Sequence, residues 1–148
     1  FSFYGFCKII ASLVTGQLVD KFSARRLLPF TIFPLIAAFM TLLLIPDSLA
    51  LYGLFIYLGL CGVNLGMAGP VSGGLWPELY GTGHLGAIRS MTSPITLLGT
   101  AIAPVLFGFV LDNDVAFSQI ILMSIFYMIF AGSLAFAVSF DKLPRRLD

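Results

Sequence analysis

Two stretches of the chain hold residues whose types and spacing could do chemistry. The first is GQLVDKFSARRLL, Gly16 to Leu28, where Asp20, Lys21, Arg25 and Arg26 stand together between segments almost without charge. The second is WPELYGTGHLGAIRS, Trp76 to Ser90, which carries Glu78, the lone histidine His84, and Arg89. Carboxylates and guanidiniums in such places suit ion pairing and helix-end hydrogen bonding, because a guanidinium offers forked donors that a carboxylate accepts. A third feature is Lys8, a single cation within an apolar run. Covalent catalysis is not expected. One histidine supports neither a Ser/His/Asp set nor a metal-ligand group, so the chain reads as a non-enzyme with no cofactor and no metal. Cys7 and Cys61 both fall in apolar runs and read as packing residues rather than a disulfide.

The elements that must position these residues follow from composition. Hydrophobic residues make up 59% of the chain and charged residues 10%, against about 45–50% and about 25% in soluble domains. A water-soluble fold of 148 residues would have too little polar surface to cover itself, so the lipid bilayer is the expected partner. A net charge of +1 gives no bulk attraction to nucleic acid. A membrane-crossing helix needs about 20 mostly apolar residues. Five runs qualify, at 2–19, 27–45, 51–73, 88–111 and 117–140. They are too long and too little alternating for barrel strands. The expected fold class is therefore all-α, a polytopic membrane helix bundle of five transmembrane helices, in one domain over 1–148 with no internal repeat. Links 20–26 and 74–87 with the adjoining helix start, and the tail 141–148, carry Lys21, Arg25, Arg26, Arg89, Lys142, Arg145 and Arg146. The other two links carry only Asp47, Asp112 and Asp114. That asymmetry predicts a multi-pass protein of the cell (inner) membrane, with the basic links and the C-terminus cytoplasmic.

Orientation alone does not require Gly16, Leu18, Asp20, Arg25 and Arg26 in that order. The pattern G-x-L-x-D-(K/R)-x-x-x-R-(K/R) resembles the signature that joins the second and third helices of each six-helix half in the major facilitator superfamily. Ser23 stands where that signature usually has glycine, and Ala24 where a basic residue is frequent. The stretch from Trp76 to Ser90 resembles the loop between the tenth and eleventh helices of many bacterial members, with Gly83 where a basic residue is common. The resemblance covers the chain as helices eight to twelve. It implies a secondary transporter that moves a small solute by alternating access, and a missing N-terminal half as partner. Phe1, which is not Met and opens inside an apolar run, fits the expectation of a longer protein. The resemblance further implies a cytoplasmic gating motif of Gly16, Asp20, Arg25, Arg26, Glu78 and Arg89. Glu78 is the expected partner of both Arg25 and Arg26, and it would offset Arg89 at a helix start, where a cation is disfavoured. Gly16 at a helix end would allow close backbone approach, and Asp20 would accept from exposed helix N–H groups. The competing reading is a solvated set of topology charges, each surface pair worth about 0–1 kcal/mol.

Within the spans, Lys8 lies twelve residues before Asp20, which is ~18 Å at the helical rise and near mid-bilayer. Such cations mark substrate or ion paths. Three readings stand: attraction of an organic or inorganic anion, pairing with an acid of the missing half, or snorkelling to the interface. Tyr4 shares its helical face, and the expected substrate-binding residues are Lys8, Tyr4, Asn64 and Thr96. For Asn64 the alternative is an interhelical hydrogen bond. For Thr96, with Thr92 and Thr100, the alternative is hydroxyls bonded back to the helix backbone. Gly59, Gly62, Gly66, Gly69 and Gly73 form a small-residue stripe with two G-x-x-x-G spacings, suited to close helix packing. GTGHLG, Gly81 to Gly86, matches a dinucleotide pattern but follows a span and not a strand, so it reads as a turn. A non-transporting five-span scaffold or subunit is the second function class, in which Lys8 and the paired motifs would have no purpose.

Overall fold

A backbone in hydrocarbon must satisfy its N–H and C=O groups within its own segment, and the apolar runs accordingly form helices. The computed structural model describes residues 2–113 and 115–140. The helices are α1 (Ser2–Phe22), α2 (Ala24–Leu27), α3 (Phe33–Leu44), α4 (Ala50–Tyr80), α5 (Leu85–Asp112) and α6 (Phe117–Phe140). Short 3-10 turns lie at Leu28–Thr31 and Asp47–Leu49. From α2 through the first 3-10 turn to α3, the chain forms one span, Ala24–Leu44. Five helices are thus long and apolar enough to cross a membrane, the described residues contain no strand, and the fold is an all-α bundle. It is that of a multi-pass membrane protein. Asp114 and the tail with Lys142, Arg145 and Arg146 lie outside the described residues.

The helices extend beyond the apolar runs at the charged links. Asp20 and Lys21 belong to the last turn of α1, and Arg25 and Arg26 to α2, so the expected link 20–26 narrows to a break at Ser23. The third span continues past Gly73 through Pro77 to Tyr80, and the expected link 74–87 shortens to 81–84. The reason is that an apolar run marks the bilayer and not the hydrogen-bonded ladder. With 31 residues α4 is ~46 Å long, against ~30 Å of hydrocarbon, so its end projects beyond the core. It stops at Gly81, whose φ of 73° suits glycine and whose N–H bonds the Pro77 carbonyl at 2.9 Å.

α4 is the centre of the bundle, with α1 and the second span packed on it. The crossing with α1 is backbone against backbone. A Cβ built at Gly62 would lie 2.6 Å from the Tyr4 carbonyl oxygen, and one at Gly66 only 2.5 Å from that of Lys8. Nearer the ends, Gly59 meets the Phe3 ring, and Gly74 meets Val19 and Ala24. Gly69 and Gly73 have nothing within 4 Å. One G-x-x-x-G spacing therefore makes a helix crossing and the other does not. α6 packs on the second span, and α5 packs loosely on α4 and buries none of its residues. Large exposed apolar side chains cover the helices, among them Phe126, Leu97, Ile95 and Met91. This surface suits acyl chains as solvent.

Candidate functional site

The break at Ser23 is the most heavily bonded point of the described structure outside the helix ladders. Ser23 is the single described non-glycine residue at positive φ, at 77°. It occupies the place where the signature usually has glycine. The turn starts a new helical segment whose first N–H groups have no partner within the segment. Glu78, from the last turn of α4, supplies it. Its Oε1 accepts from the Ala24 N–H at 2.7 Å, and its Oε2 accepts from the Ser23 hydroxyl at 2.7 Å and the Arg25 N–H at 3.2 Å. A negative charge at a helix start is also favoured by the helix dipole. From the other side, the Ser139 hydroxyl of α6 donates to the Arg25 carbonyl at 2.6 Å.

Packing fixes this clamp. Ala24 is wholly buried and sits against Gly74, one turn before Glu78 on α4. Glycine at 74 is what lets Ala24 approach, since a Cβ there would stand 3.0 Å from the Ala24 Cβ. In the last turns of α4 the Trp76 and Tyr80 rings stack on each other, with centroids 6.2 Å apart. Helices α1, α2, α4 and α6 are thereby tied together at one end of the bundle.

Several expected placements are revised. Glu78 was expected to face the guanidiniums of Arg25 and Arg26. It bonds backbone N–H groups and a hydroxyl instead, because the helix start at Ala24 comes directly beneath it. Acceptance from helix N–H groups, expected of Asp20, is the role Glu78 takes; Asp20 is exposed on α1. Gly16 lies inside α1 and not at its end, and a Cβ there would meet nothing within 4 Å, so it makes no close helix contact among the described residues. Arg26 and Arg89 are exposed at the same end.

The four residues expected to bind substrate do not converge in these helices. Tyr4 and Lys8 bring their carbonyls to the α4 crossing, and the Lys8 side chain is exposed. Asn64 donates its amide to the Thr31 carbonyl at 2.6 Å. That carbonyl needs a donor because Pro34, three residues on, has no N–H, and the Leu35 N–H bonds Ile32. Thr96 bonds back to the Thr92 carbonyl at 3.0 Å, as Thr92 does to Ile88 and Thr100 to Leu97. Thr96 nonetheless lines an open cleft of about 670 Å³ between α4 and α5, with Ser72, Trp76, Arg89, Ser93 and Thr100 among its walls. Gly69 and Gly73 form its floor.

Sequence reasoning missed Ser23 and Ser139 as functional partners. Ser23 carried a signal, a serine at a glycine place, whereas nothing marks Ser139 among the serines of an apolar helix. Fold and clamp together define a polytopic helical membrane protein whose helix ends are cross-linked at one face. Comparison with protein-family models, curated proteins and solved structures found no match.

Proposed function

We propose that this chain is the C-terminal part of a secondary active transporter of the major facilitator kind. It moves a small solute by alternating access, together with an N-terminal half that faces it, and the clamped end is cytoplasmic. The observation that carries this reading is the bond set of Glu78. It joins the two segments that resemble the superfamily, which lie 53 to 55 residues apart in sequence. Hydrogen bonds to a charged group contribute about 1.5–3 kcal/mol each when shielded, and less here because Glu78 is exposed. A total of a few kcal/mol is the size that a second state can break and remake. Glu78 then acts as the latch, holding the helix ends in one state and releasing them in the other.

Lys8 inclines the solute class towards an organic or inorganic anion. Its side chain is open on α1 and near mid-span. The test is uptake of labelled anions into proteoliposomes that hold the full-length protein. Wild-type protein accumulates or exchanges at least one anion, Lys8→Ala abolishes it, and Glu78→Gln alters its kinetics with normal membrane insertion. If wild-type protein moves no solute, the transporter reading falls and the five-span scaffold takes its place.

A further inference from the structure

Between the second span and α6 lies a groove of about 240 Å³, lined mainly by Pro29, Ile32, Phe33, Ile36, Met128 and Phe136. The two helices run antiparallel beside it, with the Ile32 side chain 3.6 Å from where a Cβ on Gly132 would stand. The groove exists because Gly132 has no side chain to fill it. Its one polar wall residue, Ser133, turns its hydroxyl back to the Phe130 carbonyl at 2.7 Å and offers the groove no free donor. An apolar groove on a membrane-spanning surface takes an apolar occupant. In a bilayer the apolar groups that surround this surface are the lipid tails.

The charge beside the groove narrows the lipid. The wall positions Pro29, Phe33 and Ile36 follow helical spacing, and one turn earlier in the same row stands Arg26. Arg26 lies in α2, three residues before Pro29 of the 3-10 turn that follows it. Arg26 is exposed at the clamped end, where the chain leaves the hydrocarbon. A guanidinium there matches a lipid phosphate with paired donors.

We propose that this groove binds one acyl chain of an anionic phospholipid from the leaflet at the clamped end, with the phosphate held by Arg26. The bound lipid seals the seam between the second span and α6, and it braces the segment that carries Ser23 to Arg25. This does not depend on transport; it requires only that the helices lie in a bilayer.

The experiment reconstitutes the full-length protein in liposomes of equal phosphatidylglycerol and phosphatidylcholine with identical tails, extracts it gently, and weighs it by native mass spectrometry. Wild-type protein retains one lipid, with phosphatidylglycerol favoured about five-fold, the worth of one basic residue near a membrane surface. Arg26→Gln retains a lipid without that preference. Gly132→Leu, whose Cβ meets only ordinary contacts, fills the groove and loses the lipid of either kind. Should that variant not fold, Ser133→Leu at an exposed position of the same wall replaces it. An unchanged preference in Arg26→Gln, or a lipid retained with the groove filled, overturns the proposal. So does a wild-type mass showing two copies of the protein and no lipid, which would make a second copy the occupant.

Discussion

The two G-x-x-x-G spacings of α4 are alike in sequence and opposite in surroundings, which allows a sharp test. In Gly66→Ala the new methyl would sit 2.5 Å from the Lys8 carbonyl oxygen, 2.7 Å from the Ala11 Cβ and 3.1 Å from the Ser12 nitrogen. Two of these neighbours are backbone atoms, so no rotamer change relieves them and α1 itself must move away. Overpacking costs about 1–3 kcal/mol, and backbone opposition puts this site near 3. Alanine's better helix propensity returns ~1 kcal/mol, leaving a net loss of ~2 kcal/mol. At roughly 2–4 °C per kcal/mol for a unit of 150–250 residues, Tm should fall by about 4–8 °C. Gly69→Ala meets nothing within 4 Å. It gains only the propensity and should raise Tm by about 2–4 °C. The assay is thermal unfolding in mild detergent, read by a thiol-reactive dye. Cys7 lies in the crossing, its Cβ 3.1 Å from a Cβ built at Gly62, and becomes reactive as α1 and α4 part. Equal shifts for the two variants, or the reverse order, would refute the packing described here.

Other substitutions test the remaining contacts. Ser23→Ala loses the hydroxyl bond to Glu78 but keeps the positive φ, whereas Ser23→Gly loses the bond and relieves strain of about 1–3 kcal/mol; the alanine variant should melt lower, and the opposite ranking by the same dye assay counts against the turn. Asn64→Leu leaves the Thr31 carbonyl unpaired and should destabilise by about 1–3 kcal/mol. Pro34→Ala returns an N–H near that carbonyl, so the loss should shrink in the double variant, and a cycle without coupling denies the link. Ser139→Ala removes the bond to Arg25 and should lower stability by about 0.5–1.5 kcal/mol, while exposed Ser118→Ala should not change it.

The five spans were legible because hydropathy over twenty residues needs no knowledge of neighbours. Helix ends were less so. Asp20, Lys21, Glu78 and Tyr80 are polar enough to end an apolar run, yet nothing in them stops a helix. The real stops are conformational, at Ser23 and at Gly81, both with positive φ. The place of Ser23 was visible as a departure from a glycine signature. That it bends the chain was not, because serine rarely adopts that φ unless other bonds hold it.

Charge pairing was the least legible part. Counting acids near arginines made Glu78 a partner for guanidiniums, since opposite charges are what a sequence displays. A helix N-terminus is an equally good partner for a carboxylate, but it shows up only once the break at Ser23 is known. For Asn64 the interhelical hydrogen bond was among the readings of the sequence, and it forms, but its backbone partner was not legible. Its partner, the Thr31 carbonyl, is created by Pro34, and three residues on three different turns had to be read together. Polar side chains in this bundle thus serve mainly the backbone. Glu78 caps the start of one helix, Ser139 meets a carbonyl in the same segment, Asn64 repairs a proline gap, and Thr92, Thr96 and Thr100 bond within α5. In hydrocarbon an unpaired backbone group costs several kcal/mol, more than most side-chain pairs return. Breaks in the helices therefore decide where polar residues go. Lys8, on an unbroken helix with no such gap beside it, is a charged residue within a span whose position backbone repair does not explain.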